Sequence, residues 1–345
     1  RFFMKENNST AENSRPNQHS RHTHSHTKSR KRRRRSSSSG RPSGHVIFVI
    51  VFSIILVVTI VRLFLWNRGR QSDYDPNETT TEFDVEVMDY LQPLDPEMLE
   101  GHEDDGVTTV LALGNDLLSD DRSDTGLAAL MEKSANATIL NAAFPGSSIS
   151  MKHQEFDNSY PLDGVSLYWV AAALLNQNFD LMDVIVPQMN SEAAAQALET
   201  LKSVDLSKVD DLVILYDLQD YRDDRTVYDE ANDKNLTTVY GALTATIKLF
   251  QEQCPHIRIY LLSQPYGTFT DANGKTIDRD DLGNGTMVDY LNWEVEACRK
   301  NGVSFIDNYY GAITMEDTDC LTDGYHLNQK GREKIAERFG KVFKQ

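Results

Sequence analysis

The chain has 345 residues, of which 40% are hydrophobic and 25% charged, and its formal net charge is −17. That length allows one to three domains, and the apolar share excludes a wholly disordered chain. The acidic balance argues against a nucleic-acid partner, because phosphate binding rests on a basic surface.

The net charge conceals an asymmetry. Residues 1–45 hold 12 Lys and Arg against Glu6 and Glu12, a net of +10, which leaves −27 for the rest. Opposite charges on the two parts suggest two environments. Residues 1–45 are rich in Ser, Arg, Asn and His without an apolar pattern, so they are predicted to be disordered. His19, His22, His24 and His26 fall in this solvated tract, which is read as low complexity rather than as a metal site.

Val46–Trp66 is almost wholly aliphatic or aromatic. About 20 such residues span ~30 Å of hydrocarbon as a helix. Arg62, the only charge, lies one turn from the end and can snorkel, and Trp66 suits the interface. The run is longer than a signal-peptide core and no small-residue cleavage site follows. The basic run Lys31–Arg35 places the N-terminus in the cytoplasm. A single-pass membrane helix is therefore expected, with the C-terminal part extracytoplasmic.

Residues 71–106 contain 13 acids and no Lys or Arg. They form part of an expected linker over 67–106, with a short ordered piece around Phe83–Leu91. The folded domain is expected over 107–345. Cys254, Cys298 and Cys320 are an odd number for a disulfide framework and read as small buried hydrophobes, with one disulfide left open.

From Val107 short apolar runs alternate with amphipathic ones, which predicts an α/β fold with a parallel sheet. The expected strands are Val107–Leu113, Thr138–Ala142, Leu212–Tyr216, Ile257–Leu262 and Val303–Ile306. The expected helices are Leu117–Glu132, Ser166–Asn176, Glu192–Val204, Leu236–Gln253, Asp289–Asn301 and Gln329–Phe343. Open sheets of this kind bind ligands at the carboxyl ends of their strands. The polar motifs fall there.

Asp323 and His326 are three apart, and a carboxylate at that spacing can orient a His as a general base. Asn328 is placed to cap the last helix. His153 is a secondary candidate. The first strand ends in Gly114-Asn115-Asp116-Leu117, the second in Asn141 to Gly146, and the third in Asp217-Leu218-Gln219-Asp220. In this order the blocks resemble those of the SGNH/GDSL hydrolase superfamily over about Val107 to Gln345.

The resemblance implies a flavodoxin-like, three-layer α/β/α sandwich with a five-stranded parallel sheet. It implies an ester or acyl-group hydrolase without a cofactor, often acting on acetylated glycans or lipids. Asp116 stands where the family keeps its nucleophilic Ser, and Asn115, which stands where it keeps Asp, is a further oxyanion or binding candidate. Gly146 matches the oxyanion glycine. Gln219 replaces the oxyanion Asn, and Asp217 replaces a Gly. Asp323 and His326 match the last block.

An Asp at position 116 cannot form an acyl-Ser, and it adds a second carboxylate near His326. Three readings follow. The domain hydrolyses or transfers an acyl group on an envelope glycan or other small ester. In this reading water is activated directly, or Ser119 or Ser147 substitutes. Alternatively it is an inactive relative that binds a glycan or a protein in the same cleft. The third reading is a metal held by Asp116, Asp220, Asp323 and His326. The loops around Asn158–Gly164 and Gln264–Asp281 are expected to set specificity.

Overall fold

The computed structural model describes residues 48, 52–59, 87–100, 102 and 104–345. The chain divides into two units, Arg1–Glu82 and Phe83–Gln345. In the first unit the described residues are helical, as their apolar run predicts. No described helix is long and apolar enough to cross a membrane. The remainder of the expected span, the basic tail and most of the expected linker lie outside the described residues.

The second unit is an α/β fold. Five strands, β1 (Thr109–Gly114), β2 (Thr138–Asn141), β3 (Asp211–Leu215), β4 (Arg258–Leu262) and β5 (Ser304–Ile306), form one sheet in the order β2-β1-β3-β4-β5. All its pairings are parallel. Both faces are covered, which is why the strands read as apolar runs rather than as alternating ones. Leu111, Leu113, Leu212, Ile214, Ile259 and Leu261 enter one core. Val110, Ala112, Val213, Leu215, Tyr260 and Leu262 enter the other.

The helices are α1 (Leu127–Ala135), α2 (Leu167–Leu175), α3 (Glu192–Ser203), α4 (Val239–Gln253), α5 (Met287–Asn301) and α6 (Gln329–Phe343). Side chains of α1 and α6 fill one core, and those of α2 to α5 fill the other. This is the expected three-layer arrangement. The helix starts are set by capping side chains. Ser191, Thr238 and Asn328 each accept a backbone N–H of the helix that follows, and Thr286 and Asp289 form a capping box before α5.

Three features differ from expectation. The single helix expected over Leu117–Glu132 is broken into a turn at Asp116–Ser119 and α1. The Asp121 carboxylate accepts from the Ser123 backbone N–H at 2.9 Å, and its own turn replaces helix there. A two-stranded hairpin, Phe269–Thr270 with Thr276–Ile277, interrupts the chain after β4. Finally, the folded unit reaches back into the expected linker. Tyr90 N–H donates to Phe305 O at 2.9 Å, and Phe305 N–H donates to Tyr90 O at 2.7 Å. The short ordered piece thus covers the open edge of β5. Cys254, Cys298 and Cys320 are buried and free.

Candidate functional site

The order 2-1-3-4-5 reverses direction between β1 and β3, and the crevice at their carboxyl ends is the ordinary ligand position of such a sheet. The four sequence blocks meet there. Gly114 closes β1 so tightly against Leu215 of β3 that any side chain would strike its carbonyl. The chain then turns, and Asn115 is fully buried.

Asn115 joins the blocks together. Its Nδ2 donates to Ser147 O at 3.0 Å and to Asp217 Oδ1 at 2.6 Å, while Asp217 N–H donates to Asn115 Oδ1 at 2.9 Å. All the polar atoms of its amide are used inside the protein. The expectation that Asn115 donates to a ligand is therefore corrected: it is a structural clamp. Asp217, 5% exposed, accepts additionally from Gln219 N–H at 2.9 Å, and its Oδ2 is buried without a partner.

Asp116 follows and is half-buried. Its Oδ1 accepts from Gly146 N–H at 2.9 Å. Gly146 has φ +68°, a left-handed conformation that Gly adopts without penalty. The donor that the resemblance assigns to an oxyanion is thus already occupied by a carboxylate of the protein. Gln219 is likewise engaged. Its Nε2 donates to Asp223 Oδ1 at 2.9 Å, and its Oε1 accepts from Arg222 Nη1 at 3.2 Å. One of the two N–H donors of the expected second oxyanion group is thus bonded along its own short helix, Gln219–Arg222.

His326 and Asp323 form the expected pair. His326 Nδ1 lies 2.7 Å from Asp323 Oδ2, and His326 N–H donates to Asp323 Oδ1 at 3.1 Å. The ring is 32% exposed and its Nε2 is 3.9 Å from Asp120 Oδ2. The other face of the loop carries Tyr325, whose ring packs on His326 at 4.1 Å and on the Arg222 guanidinium at 4.2 Å. The i, i+4 spacing of Asp116 and Asp120 on one helical turn was available as a signal for Asp120. Nothing in the local sequence pointed to Arg222.

The electrostatics follow from this crowding. Burial, and then the Asp116 charge, push the Asp217 carboxyl up to about 7, against its hydrogen bonds and Arg222. Burial and the charges of Asp116 and Asp323 push Asp120 to about 6, with His326 and Arg332 opposing. Asp116 is also raised by burial, although the Gly146 N–H, His326 and Arg222 hold it back. Asp323 is resisted by burial, but the His326 hydrogen bonds bring it below the ordinary value. Asp323 is therefore the ionised partner of the His, and Asp120 and Asp217 hold protons more readily than ordinary carboxyls.

The remaining candidates are placed elsewhere or closed off. Ser119 is 4% exposed and Ser147 fully buried, with its Oγ donating to Gly114 O at 3.3 Å, so neither presents a nucleophile. Asp220 is buried and accepts from Ile149 N–H, Ser150 N–H and Ser150 Oγ at 2.8, 2.9 and 2.5 Å. It anchors the loop after β2 and does not face Asp323, which corrects the four-residue metal reading. Among the described residues no group of three His, Cys, Asp or Glu is arranged to hold a metal. His153 pairs with Asp163 at 3.0 Å.

No family model and no curated protein matches the chain. Solved structures do resemble it. A protein from Desulfitobacterium hafniense ascribed to the lipolytic G-D-S-L family is 12% identical with a TM-score of 0.40. The match covers 68% of this chain and 99% of that one. A possible lipase from Chitinophaga pinensis is 14% identical with a TM-score of 0.44, covering 69% and 98%. A carbohydrate acetylesterase family member from Sinorhizobium meliloti is 13% identical with a TM-score of 0.39, covering 69% and 98%. The strand order and the placing of the blocks at the strand ends agree with the α/β sandwich that the SGNH/GDSL resemblance implies.

Proposed function

We propose that this is a membrane-anchored, extracytoplasmic SGNH-like domain whose cleft binds acylated glycans of the cell envelope without forming an acyl-enzyme. The observation that carries the reading is the 2.9 Å hydrogen bond from Gly146 N–H to Asp116 Oδ1. Acyl-Ser chemistry needs a hydroxyl nucleophile and a free oxyanion donor. Here one carboxylate takes the place of the first and occupies the second. A negative charge in that position opposes the tetrahedral oxyanion that the site of a Ser esterase stabilises. What remains is a polar crevice with a partly exposed His, a neighbouring Tyr and carboxyls that take up protons easily. Such a crevice suits the hydroxyls and carbonyl of a neutral sugar ester. The apolar run Val46–Trp66 and its basic cytoplasmic flank support the anchoring and the orientation.

The intact pair of His326 and Asp323 favours a second reading. A His oriented through Nδ1, with Nε2 near Asp120 but not hydrogen-bonded, can take a proton from water, so direct attack of water on a bound ester would need no acyl-enzyme either. Both readings are tested by exposing the full-length chain to an activated acetyl ester. Intact mass is followed together with acetate release. The expected outcome is no covalent adduct. Acetate release lost in His326→Ala would select the second reading, and its absence the first. A stable acetyl adduct would contradict both.

A further inference from the structure

We infer that a second pocket, beside the His326 loop, is a subsite for a single pyranose ring. The inference rests on the glycan reading above and names the part of the molecule that would hold the sugar. Five residues carry it: Tyr266, Tyr309, Tyr310, Arg279 and Met315 line a cavity of about 270 Å³. Drug-sized ligands fill pockets of about 300–1,000 Å³, so this one suits one ring.

The cavity sits on the carboxyl rim of the sheet. Tyr266 N–H donates to Ile313 O at 2.9 Å, and two residues on, Thr268 N–H donates to Gly324 O at 2.7 Å. One short extended stretch therefore has the cavity at one end and the Asp323–His326 loop at the other. Gly267, between them, approaches Tyr325 so closely that an added Cβ would lie 3.0 Å from the Tyr325 Cβ.

Three observations point to a polar ring rather than to an acyl chain. The first is unspent hydrogen-bonding capacity. The hydroxyls of Tyr309 and Tyr310 are bonded to no other described residue, and neither is sealed from solvent. A hydroxyl placed this way can exchange its water for a ligand hydroxyl. The second is the aromatic wall. Tyr309 and Tyr310 meet edge to face at 4.7 Å, and Tyr266 meets Tyr309 at 6.1 Å, so the rings brace one another and Tyr310 is the one with its ring partly open. The third is Arg279, which holds φ +60°. A left-handed conformation is uncommon for Arg and carries a backbone cost of the kind found at ligand sites. Its Nε donates to Asp278 Oδ1 at 3.2 Å, the same oxygen that accepts the Tyr266 hydroxyl at 2.9 Å. Its Nη1 meets only the Met315 sulfur, at 3.8 Å. The guanidinium thus keeps donors for sugar oxygens, and Glu316, which lines the same cavity, adds an acceptor.

The test is saturation-transfer NMR on the full-length chain in mild detergent with methyl β-glucoside, N-acetylglucosamine and glucuronate as probes. Three variants are compared with the parent: Arg279→Gly, Tyr309→Phe and His326→Ala. At least one probe should show transfer to the parent and about tenfold weaker binding in Arg279→Gly and Tyr309→Phe, the effect of one lost hydrogen bond to a well-placed group. Thermal stability separates this from unfolding. Gly accepts φ +60° without strain, so Arg279→Gly should melt no lower than the parent while binding is lost. Absence of transfer from all three sugars, or equal transfer in parent and both cavity variants, would overturn the subsite. Transfer lost only in His326→Ala would also overturn it, yet would leave the glycan-binding cleft standing.

Discussion

At the scale of single residues, the site is defined by what its carboxylates are bonded to. Asp116 is held by Gly146, Asp217 by Asn115, and Asp323 by His326. The identities of Asp116, Gly146, Asp323 and His326 were legible in the sequence, because strand ends and a short spacing mark them. The bonding of Asn115 and Gln219 was not, since nothing local says whether an amide faces a cleft or a neighbouring carboxylate. Two predictions belong here. Asp217 carries a raised carboxyl, 3.8 to about 7, so the folded state keeps a proton that the unfolded state releases across that interval. Its contribution to stability is present at low pH and is lost as pH rises through that window. Melting curves of Asp217→Asn against the parent should show the variant gaining relative stability across the same window. A difference that is flat with pH would remove the buried-carboxyl account. Second, His326 is one-third exposed and packs no core, so His326→Ala should alter unfolding free energy by no more than about 0.5 kcal/mol. A larger loss in denaturant titration would assign it a structural role.

At the scale of elements, periodicity and capping residues located all five sheet strands to within two residues, and located α2 to α6 nearly as well. The exception was the region after Asp116, where an apolar pattern compatible with one helix is overridden by the turn-forming side chains of Asp121 and Ser123. Long-range closeness was also invisible in the sequence. Gly340 of α6 lies where an added methyl would collide with Ser134 of α1. Gly340→Ala should therefore cost about 1–3 kcal/mol by overpacking, despite the better helix propensity of Ala. A raised denaturation midpoint would contradict this close crossing. The outer edge of β2 is guarded in a comparable way. Arg122 donates through Nη1 to Asn141 O at 3.1 Å and through Nη2 to Ala143 O at 2.8 Å, and Ile139 N–H is taken by Glu132 at 3.1 Å. Unpaired edges invite association between chains. Arg122→Ala is expected to aggregate more readily on heating, as light scattering would report, whereas an unchanged onset would show the edge to be protected otherwise.

At the scale of the whole molecule, the sheet, its switch point and the two helical layers place one chemically unusual carboxylate on a widely used scaffold. The three-layer fold was legible because α/β patterning and four ordered blocks agree with each other. The reach of the folded unit back to residues 88–92 was only hinted at by the short ordered piece, since edge pairing depends on β5, more than two hundred residues away. The measurement that tests the account most directly is acetyl-ester hydrolysis by the full-length chain beside its Asp116→Ser and Asp116→Ser/His326→Ala variants. The Ser variant restores a hydroxyl and frees Gly146 N–H, one donor of the kind whose loss elsewhere costs about 10²–10³ in rate. The account predicts that Asp116→Ser forms an acyl-enzyme and turns over at least about tenfold above the parent, and that removal of His326 abolishes the gain. Covalent turnover by the parent that is destroyed by Asp116→Ser would contradict it.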